Sequence, residues 1–428
     1  MICISTRGRA PAVPVGDAIR AGLAPDGGLY VPVELPVLAP ERWARLSEAS
    51  LPAVALAMLE PLLGADLAPP ALESLLADAL NFPTPLVPLD DRLAVLELFH
   101  GPTFAFKDVG ARVLARLLSC FHDAGQPPLT VLVATSGDTG GAVAQAFHGV
   151  PRTRVVVLYP HGQVSAVQEA QFTTLGGNVQ AVAVDGTFDD CQRLAKLAFA
   201  DVEIRERTHL TSANSISLGR LLPQMTYYGQ GAAAPWVTGP LTIVVPSGNF
   251  GNIAAGLMAK RMGAAIGHLH AATTVNDTVP RYLASGRLEP RPSVTTLANA
   301  MDVGDPSNLE RIQWMFGGEV GAIRSAMGAS VHPDAEIRGA MREMDRRFGY
   351  VADPHTAIAY LGAIRCLEAR VTAQVIFLST AHPAKFGDVV EAAIGRPVPI
   401  PAPLAEAMRR PRQVEHITPS LEALVPLL

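Results

Sequence analysis

The chain has 428 residues, 49% of them hydrophobic and 17% charged, with a formal net charge of −5. So much apolar material with so little charge excludes a disordered chain and suffices for two or three domains with large cores. A slightly acidic balance without a long basic run argues against nucleic acid as a partner, and no uninterrupted apolar stretch is long enough to span a bilayer.

The first residues, Met1-Ile2-Cys3-Ile4-Ser5-Thr6-Arg7-Gly8, lack the apolar core of a signal peptide. From about residue 9 to 80 come leucine- and alanine-rich helical stretches interrupted by proline, such as Leu51 to Leu63 and Pro70 to Leu80. Gly27-Gly28 and Pro32 read as turns. No reactive cluster occurs there, so this part reads as a small, mostly helical N-terminal domain bounded by Phe82-Pro83-Thr84-Pro85.

Beyond it, strand and helix signals alternate. The strand-like runs are Leu93 to Phe99, Leu129 to Ala134, Arg154 to Tyr159, Val179 to Val184, Leu241 to Val245, His268 to Thr273 and Gln374 to Ser379. Continuous apolar strands separated by helices predict an α/β fold whose parallel sheets are covered on both faces. Phe106, Val109, Val113, Leu114, Leu117 and Leu118 recur at helical spacing and predict one buried face. From about Arg396 the chain is proline-rich and is expected to wrap the surface. Cys3, Cys120, Cys191 and Cys366 are scattered without metal or redox spacing, which suits a reducing cytoplasm.

Lys107 carries the strongest chemical signal. Only four of the 34 basic residues are lysines, so this chain does not rely on lysine for surface charge. Lys107 lies off the apolar stripe, close to a helix start, after Phe104-Ala105-Phe106. An amine in that setting can lose its proton and attack a carbonyl, which a guanidinium cannot. The competing reading is a snorkelling side chain.

Two glycine-rich turns follow strands and precede helices: Thr135-Ser136-Gly137-Asp138-Thr139-Gly140-Gly141 and Pro246-Ser247-Gly248-Asn249-Phe250-Gly251-Asn252. Such turns gather backbone N–H groups at the positive end of a helix and can cradle a phosphate. Neither has the G-x-G-x-x-G or G-x-x-x-x-G-K-[ST] spacing of nucleotide sites. Each alone also fits an ordinary βα loop. Together with Lys107 they point to a phosphorylated aldehyde, a description that pyridoxal phosphate meets. Ser379, Thr380, His382 and Lys385 follow the last apolar strand, where they could meet a ring nitrogen or an anion, or simply cap a helix. Thr211 to Arg220 could cap a helix, or Arg220 could grip an anion. His122, His148 and His416 show no partner pattern and read as surface or core residues.

These segments resemble those of threonine synthases of the longer kind, which carry an added N-terminal domain. The opening Ile4-Ser5-Thr6-Arg7-Gly8 is similar. So are Glu97 to Asp108 around the Schiff-base lysine, Ala134 to Gly140, Ser212-Ala213-Asn214-Ser215, Pro246 to Gly251, Val275-Asn276-Asp277 and Thr380 to Phe386, all in the family's order. The resemblance spans nearly the whole chain and weakens after about residue 395.

The resemblance implies a fold-type II (tryptophan synthase β-like) pyridoxal phosphate enzyme with two α/β lobes. Residues 1–80 would form the N-terminal domain, 81–395 the catalytic region and 396–428 a C-terminal extension. Within the catalytic region, about 81–109 and 221–395 would form the large lobe and about 110–220 the small lobe. It implies conversion of O-phospho-L-homoserine and water to L-threonine and phosphate, the last step of threonine biosynthesis. Lys107 would be catalytic and bind the cofactor. Gly248, Asn249, Phe250, Gly251 and Asn252 would cradle its phosphate, Asp138 would contact the ring's 3′ oxygen, and Thr380 would bond the ring nitrogen. Thr139, Asn214, Ser215, Arg220 and Lys385 would receive the substrate. Ile216 to Gly219 departs somewhat from the family pattern, which bears on Arg220. No metal is implied, and a cytoplasmic monomer or homodimer is expected. The competing readings are a related lyase acting on phosphorylated hydroxy amino acids, a serine or threonine dehydratase of the same fold, and a pyridoxal phosphate carrier without turnover.

Overall fold

In the computed structural model, which describes residues 1–122, 125, 127–369 and 373–428, the strands sort into three sheets. In chain order they are β1 (Ile2–Ser5), β2 (Val13–Pro14), β3 (Tyr30–Pro32), β4 (Leu86–Pro88), β5 (Leu93–Glu97), β6 (Leu129–Ala134), β7 (Thr153–Pro160), β8 (Val179–Val184) and β9 (Leu210–Ser212). Then come β10 (Leu241–Pro246), β11 (His268–Thr273), β12 (Met327–Val331), β13 (Gln374–Ser379) and β14 (Val414–Ile417).

The large-lobe sheet has the order β12-β11-β10-β13-β5-β4 and the small-lobe sheet the order β14-β8-β7-β6-β9. Every pairing in both is parallel except β4 with β5, an edge strand closed by Pro88. All six residues of β10 and of β13 are buried. Alternate residues of these strands join different cores: Ile376 and Leu378 pack on one face of the sheet, Val375 and Phe377 on the other. The small lobe repeats the arrangement, with Val155 and Val157 on one side of β7 and Val156 and Leu158 on the other. That two-sided burial is the reason the strands read as unbroken apolar runs.

The N-terminal region holds the expected helices, Leu51–Leu63 and Pro69–Ala79, each opened by a proline in its first turn. Leu51, Val54, Ala55, Met58, Leu59 and Leu62 bury one face of the first at i, i+3, i+4, i+7 spacing. Beside them stands an antiparallel sheet of order β2-β1-β3, which the sequence pattern does not announce because its strands are two to four residues long. Pro32 closes β3 and does not form a turn. The segment after Arg396 likewise does more than wrap the surface. It forms a helix, Ala402–Arg409, and then adds β14 to the open edge of the small-lobe sheet beside β8.

In each lobe the chain builds outward across the sheet and then doubles back. After β10 the large lobe builds outward through β11 and β12, then returns to lay β13 on the other side of β10. After β6 the small lobe builds through β7 and β8, then returns to lay β9 on the other side of β6. At such a reversal the connections diverge and leave a crevice beyond the carboxyl ends of the strands. The crevice between β10 and β13 receives Gly248 to Asn252 and Thr380. The crevice between β6 and β9 receives Ser136 to Thr139 and Asn214-Ser215.

Candidate active site

Lys107 opens the Lys107–Phe121 helix, directly after the loop leaving β5. That loop is pinned to the end of β13: Phe106 N–H donates to the Thr380 carbonyl at 2.9 Å, and Ala105 bridges Ala381. The Lys107 amine lies 3.7 Å from Asp138 Oδ2 and 5.2 Å from the centre of the Phe106 ring. Burial lowers its pKa from the ordinary lysine value; Asp138 pulls the other way, while the charges of Lys385 and Arg220 add to the lowering. That lowering shifts the amine toward the neutral state a nucleophile or base requires.

Asp138 is the first residue of the Asp138–Phe147 helix and links the two lobes. Burial alone would push its carboxyl up. The Lys385 and Lys107 charges, with hydrogen bonds from Lys385 and Gln168, hold it well below the usual carboxylate range. Lys385 Nζ is 2.8 Å from Asp138 Oδ1, and Gln168 Nε2 donates to the same oxygen at 2.8 Å. Lys385 also donates to the Thr103 carbonyl at 2.8 Å and is fully buried. It is therefore engaged with the protein and does not present a free ammonium to the crevice. Gly137 precedes Asp138 at φ 137°, and a Cβ there would lie 2.6 Å from the Gln168 amide carbon, so only glycine lets Gln168 approach.

The turn after β10 leaves a row of backbone amides open, the arrangement an anion cradle needs. Among the described residues, the N–H groups of Gly248, Asn249, Phe250, Gly251 and Asn252 donate to no protein acceptor. They precede or begin the Gly251–Arg261 helix, whose dipole adds to their pull on an anion. Phe250 holds the left-handed conformation at φ 59°, which turns the chain into that helix. Asn249 donates to Ser215 Oγ at 2.6 Å, and its own Oδ1 accepts from Ser307 N–H at 2.6 Å. Asn252 Oδ1 accepts from Tyr227 and Tyr228 at 2.6 and 2.7 Å, while its buried Nδ2 has no protein partner. A Cβ on Gly248 would lie 2.6 Å from the Met301 Cα, main chain against main chain. Gly248→Ala should therefore displace the cradle and weaken pyridoxal phosphate binding about tenfold or more, with the far-ultraviolet dichroism of the fold retained. Fluorescence titration with the cofactor tests this, and unchanged affinity would refute the assignment.

Thr380 directly follows β13 beside this cradle, and its hydroxyl makes no hydrogen bond among the described residues. Ser379, its neighbour, is instead tied to Thr356 at 2.8 Å. His382 caps the next turn, accepting from Ala384 N–H at 3.1 Å, with its ring packed against Phe99 and Phe104. Thr139 is half-buried on the first turn of its helix. The Asn214 amide reaches β6, donating to the Ala134 carbonyl at 2.9 Å, so it extends the β6–β9 pairing past Ser212. Arg220 lies behind this turn, only 2% exposed, donating to the Ala213 carbonyl at 2.6 Å while its Nε has no protein partner. Burial lowers its pKa to about 10, against the pull of Asp108.

Four side chains of this neighbourhood were not singled out by sequence. Gln168 follows Ser165 at capping-box spacing, which is a visible signal. Its backbone N–H bonds Ser165 Oγ at 3.2 Å as expected, but its side chain is diverted to Asp138. Arg311 looks like any helix-surface arginine, yet it is 1% exposed. It donates to the Tyr30 carbonyl of β3 at 3.2 Å, to Asn308 Oδ1 at 2.6 Å and to the Ile216 carbonyl. Asn308 Nδ2 reaches Ser215 Oγ at 3.4 Å. The N-terminal domain thereby braces the Ser215–Asn249 contact that joins the lobes.

Asp108, next to the reactive lysine, is the fourth. It is 1% exposed and accepts from the Thr103 N–H at 2.8 Å and hydroxyl at 2.7 Å. Burial still dominates and raises its carboxyl to about 6. A carboxyl raised on folding contributes stability that is fully present below pH ~4 and lost as the pH climbs to about 6. Two units correspond to roughly 3 kcal/mol. Asp108→Asn should remove that slope. The difference in unfolding free energy between it and the wild type should change by that amount between pH 4 and pH 7 in denaturant titrations; a flat difference would show that the carboxyl is not shifted.

The donor set fits pyridoxal phosphate: a depressed amine for the aldehyde, a row of free amides for the phosphate, and a free hydroxyl between them. Comparison with known proteins agrees. A family model for pyridoxal-phosphate dependent enzymes matches residues 78–380. A model for the threonine synthase N terminus matches residues 3–80, and one for the threonine synthase C-terminal part matches 356–425, so the likeness continues past residue 395, where the sequence reading saw it weaken. The threonine synthase of Serratia marcescens is 43% identical over 395 residues, covering 92% of this chain and 91% of that one. The crystal structure of threonine synthase from Escherichia coli superposes with a TM-score of 0.92 at 39% identity, covering 100% of this chain and 99% of the other. That of pyridoxal-phosphate-bound threonine synthase from Brucella melitensis gives 0.93 at 38% identity, covering 100% and 98%. These likenesses do not favour a dehydratase. With its lysine, its cradle and its three matching segments, the chain belongs to the threonine synthase family of pyridoxal-phosphate-dependent lyases.

Proposed function

We propose that the substrate is O-phospho-L-homoserine, which the chain converts with water to L-threonine and phosphate. The observation that carries this reading is a pair of anion-receptive helix starts on opposite lobes. Gly248 to Asn252 offer one row of free amides. Ser136, Asp138 and Thr139 offer a second, since their N–H groups also lack a protein acceptor among the described residues. One row suffices for a cofactor phosphate, and the second, with the Arg220 charge behind it, suits an anionic substrate.

In this reading Lys107 holds the cofactor, Gly248, Asn249, Phe250, Gly251 and Asn252 hold its phosphate, and Thr380 and Asp138 meet the ring nitrogen and ring oxygen. Bound pyridoxal phosphate supplies an electron sink for the charge that develops on the substrate. The Lys107 amine, when not holding the cofactor, would take the proton from Cα and serve the later transfers at Cβ, because one mobile base on one side of the crevice can reach both. Burial lowers its pKa, which favours the return of its proton after each transfer. Thr139, Asn214 and Ser215 line the substrate side. Arg220 and Lys385 act from behind, through charge and by fixing the Ala213–Ser215 turn and Asp138.

The same reading assigns residues 1–80 to the N-terminal domain, 81–395 to the two catalytic lobes and 396–428 to the extension, in a cytoplasmic monomer or homodimer. Three of the four free cysteines are buried as thiols, and no helix among the described residues is long and apolar enough to cross a membrane, which supports that setting. The deciding experiment supplies O-phospho-L-homoserine to the purified protein and measures both products. Equal amounts of threonine and phosphate are expected. Phosphate without threonine would favour the related phospho-lyase, and deamination of L-serine or L-threonine at comparable efficiency would favour the dehydratase.

A further inference from the structure

His416, which has no partner in the sequence pattern, has two in the fold. His161 follows β7, Asp185 follows β8 and His416 lies within β14, so the three project from neighbouring strand ends on the small lobe. All three are exposed, and one ligand atom from each lies within 4.8 Å of the other two. His161 Nδ1 is 3.4 Å from Asp185 Oδ1, and the His161 and His416 rings meet edge to face with centroids 4.8 Å apart. The backbone beneath them is fixed. His161 N–H donates to the Val184 carbonyl and Asp185 N–H to the Ile417 carbonyl, both at 3.0 Å, and Gln163 Nε2 donates to the Gly186 carbonyl at 3.2 Å.

The geometry points to a binding site for a divalent transition-metal ion of the zinc type, held by His161, Asp185 and His416. Two imidazole nitrogens and one carboxylate oxygen form a zinc set that leaves a fourth position for water. Imidazole donors select such an ion over magnesium or calcium, which take oxygen. A tetrahedral ion with bonds of about 2.0–2.2 Å holds its ligand atoms about 3.3–3.5 Å apart. The His161–Asp185 separation already matches. The widest gap closes by about 1.3 Å, a change that a turn of one exposed imidazole provides.

The ion would clip β14, contributed by the C-terminal segment, to the ends of β7 and β8, between which the chain runs through the Ala166–Thr173 helix. That connection also carries Ser165 and Gln168, whose side chains touch the Lys385 carbonyl and the Asp138 carboxylate. The role is structural, since none of the three ligands belongs to the catalytic crevice.

Tag-free holoenzyme titrated with zinc sulfate against a chromogenic chelator should bind one ion per chain, and millimolar magnesium should not displace it. His161→Ala and His416→Ala should each weaken zinc binding about tenfold or more, while turnover without zinc stays at the wild-type rate. Zinc should raise the thermal midpoint of the wild type and leave that of both variants unmoved, because an ion bound only by the folded state stabilises it. The site is refuted if the wild type shows no saturable one-to-one binding, or if both variants bind zinc as tightly as it does.

Discussion

Replacing Lys107 by arginine should abolish turnover, with a loss of about a thousandfold or more, while leaving the chain folded. The substitution preserves positive charge beside Asp138 and the packing over Phe106. It removes the one property the site depends on, because a guanidinium keeps its proton at any working pH and cannot attack an aldehyde. Two roles vanish together, covalent attachment and proton transfer, and the second alone contributes on the order of 10²–10⁴. The variant should bind pyridoxal phosphate only noncovalently. Borohydride should fix the cofactor to the Lys107 peptide in the wild type and to none in the variant. Labelling at Lys196, Lys260 or Lys385 would overturn the assignment.

The second large effect is expected at Lys385, through stability as much as activity. Lys385→Met leaves the Asp138 carboxylate buried, with Lys107 at 3.7 Å as its remaining cation. Breaking a buried pair from one side typically costs about 3–5 kcal/mol, since the orphaned charge keeps its desolvation penalty. The pH dependence carries a definite sign. In the wild type the Asp138 pKa is depressed, so its contribution is present above its unfolded value of about 3.9 and is lost as the pH falls through the still lower folded value. Without Lys385 burial dominates and the carboxyl titrates higher. The deficit of the variant should therefore be full at neutral pH and shrink on acidification. Adding Asp138→Asn should recover much of the stability without recovering activity. Denaturant titrations of the two single variants and the double variant give the coupling directly. Additive losses would mean that the pair is not coupled. A Lys385→Met protein of wild-type stability would remove Lys385 from its positioning role and return it to the crevice as a direct substrate ligand.

Seven strand runs were legible because each central strand carries its own reason to be a strand. Val179–Val184 is apolar except for Gln180, Gln374–Ser379 is apolar between its two end residues, and both faces of each are buried in the fold. The strands that escaped notice depend on a neighbour. Met327–Val331 has Gly, Ala and Ser at its centre, poor strand formers, and is a strand because β11 offers a free edge. Leu210–Ser212 is three residues long and gains its place from β6. Val414–Ile417 sits in a proline-rich tail, half exposed, and is held by β8.

The same division runs through the site. Lys107 and the Gly248–Asn252 turn announce themselves locally, the one by a scarce amine after an apolar run, the other by glycines that open the backbone where a strand turns into a helix. Those features are short-range consequences of side-chain chemistry and backbone freedom, so the sequence by itself determined the cofactor class and the α/β architecture and singled out Lys107. It left the partners open. Whether Lys385 meets a substrate phosphate or Asp138 and whether Arg220 faces the crevice or braces the turn behind it depend on how elements of the two lobes meet, and whether His416 stands alone or beside His161 and Asp185 depends on β14 joining β8. Burial, which lowers the Lys107 amine and raises the Asp108 carboxyl, also exists only after the lobes have closed. The tertiary structure decided these points because ion pairing and desolvation act over a few ångströms of space, and the residues concerned are brought that close by long-range returns of the chain such as those that place β13, β9 and β14.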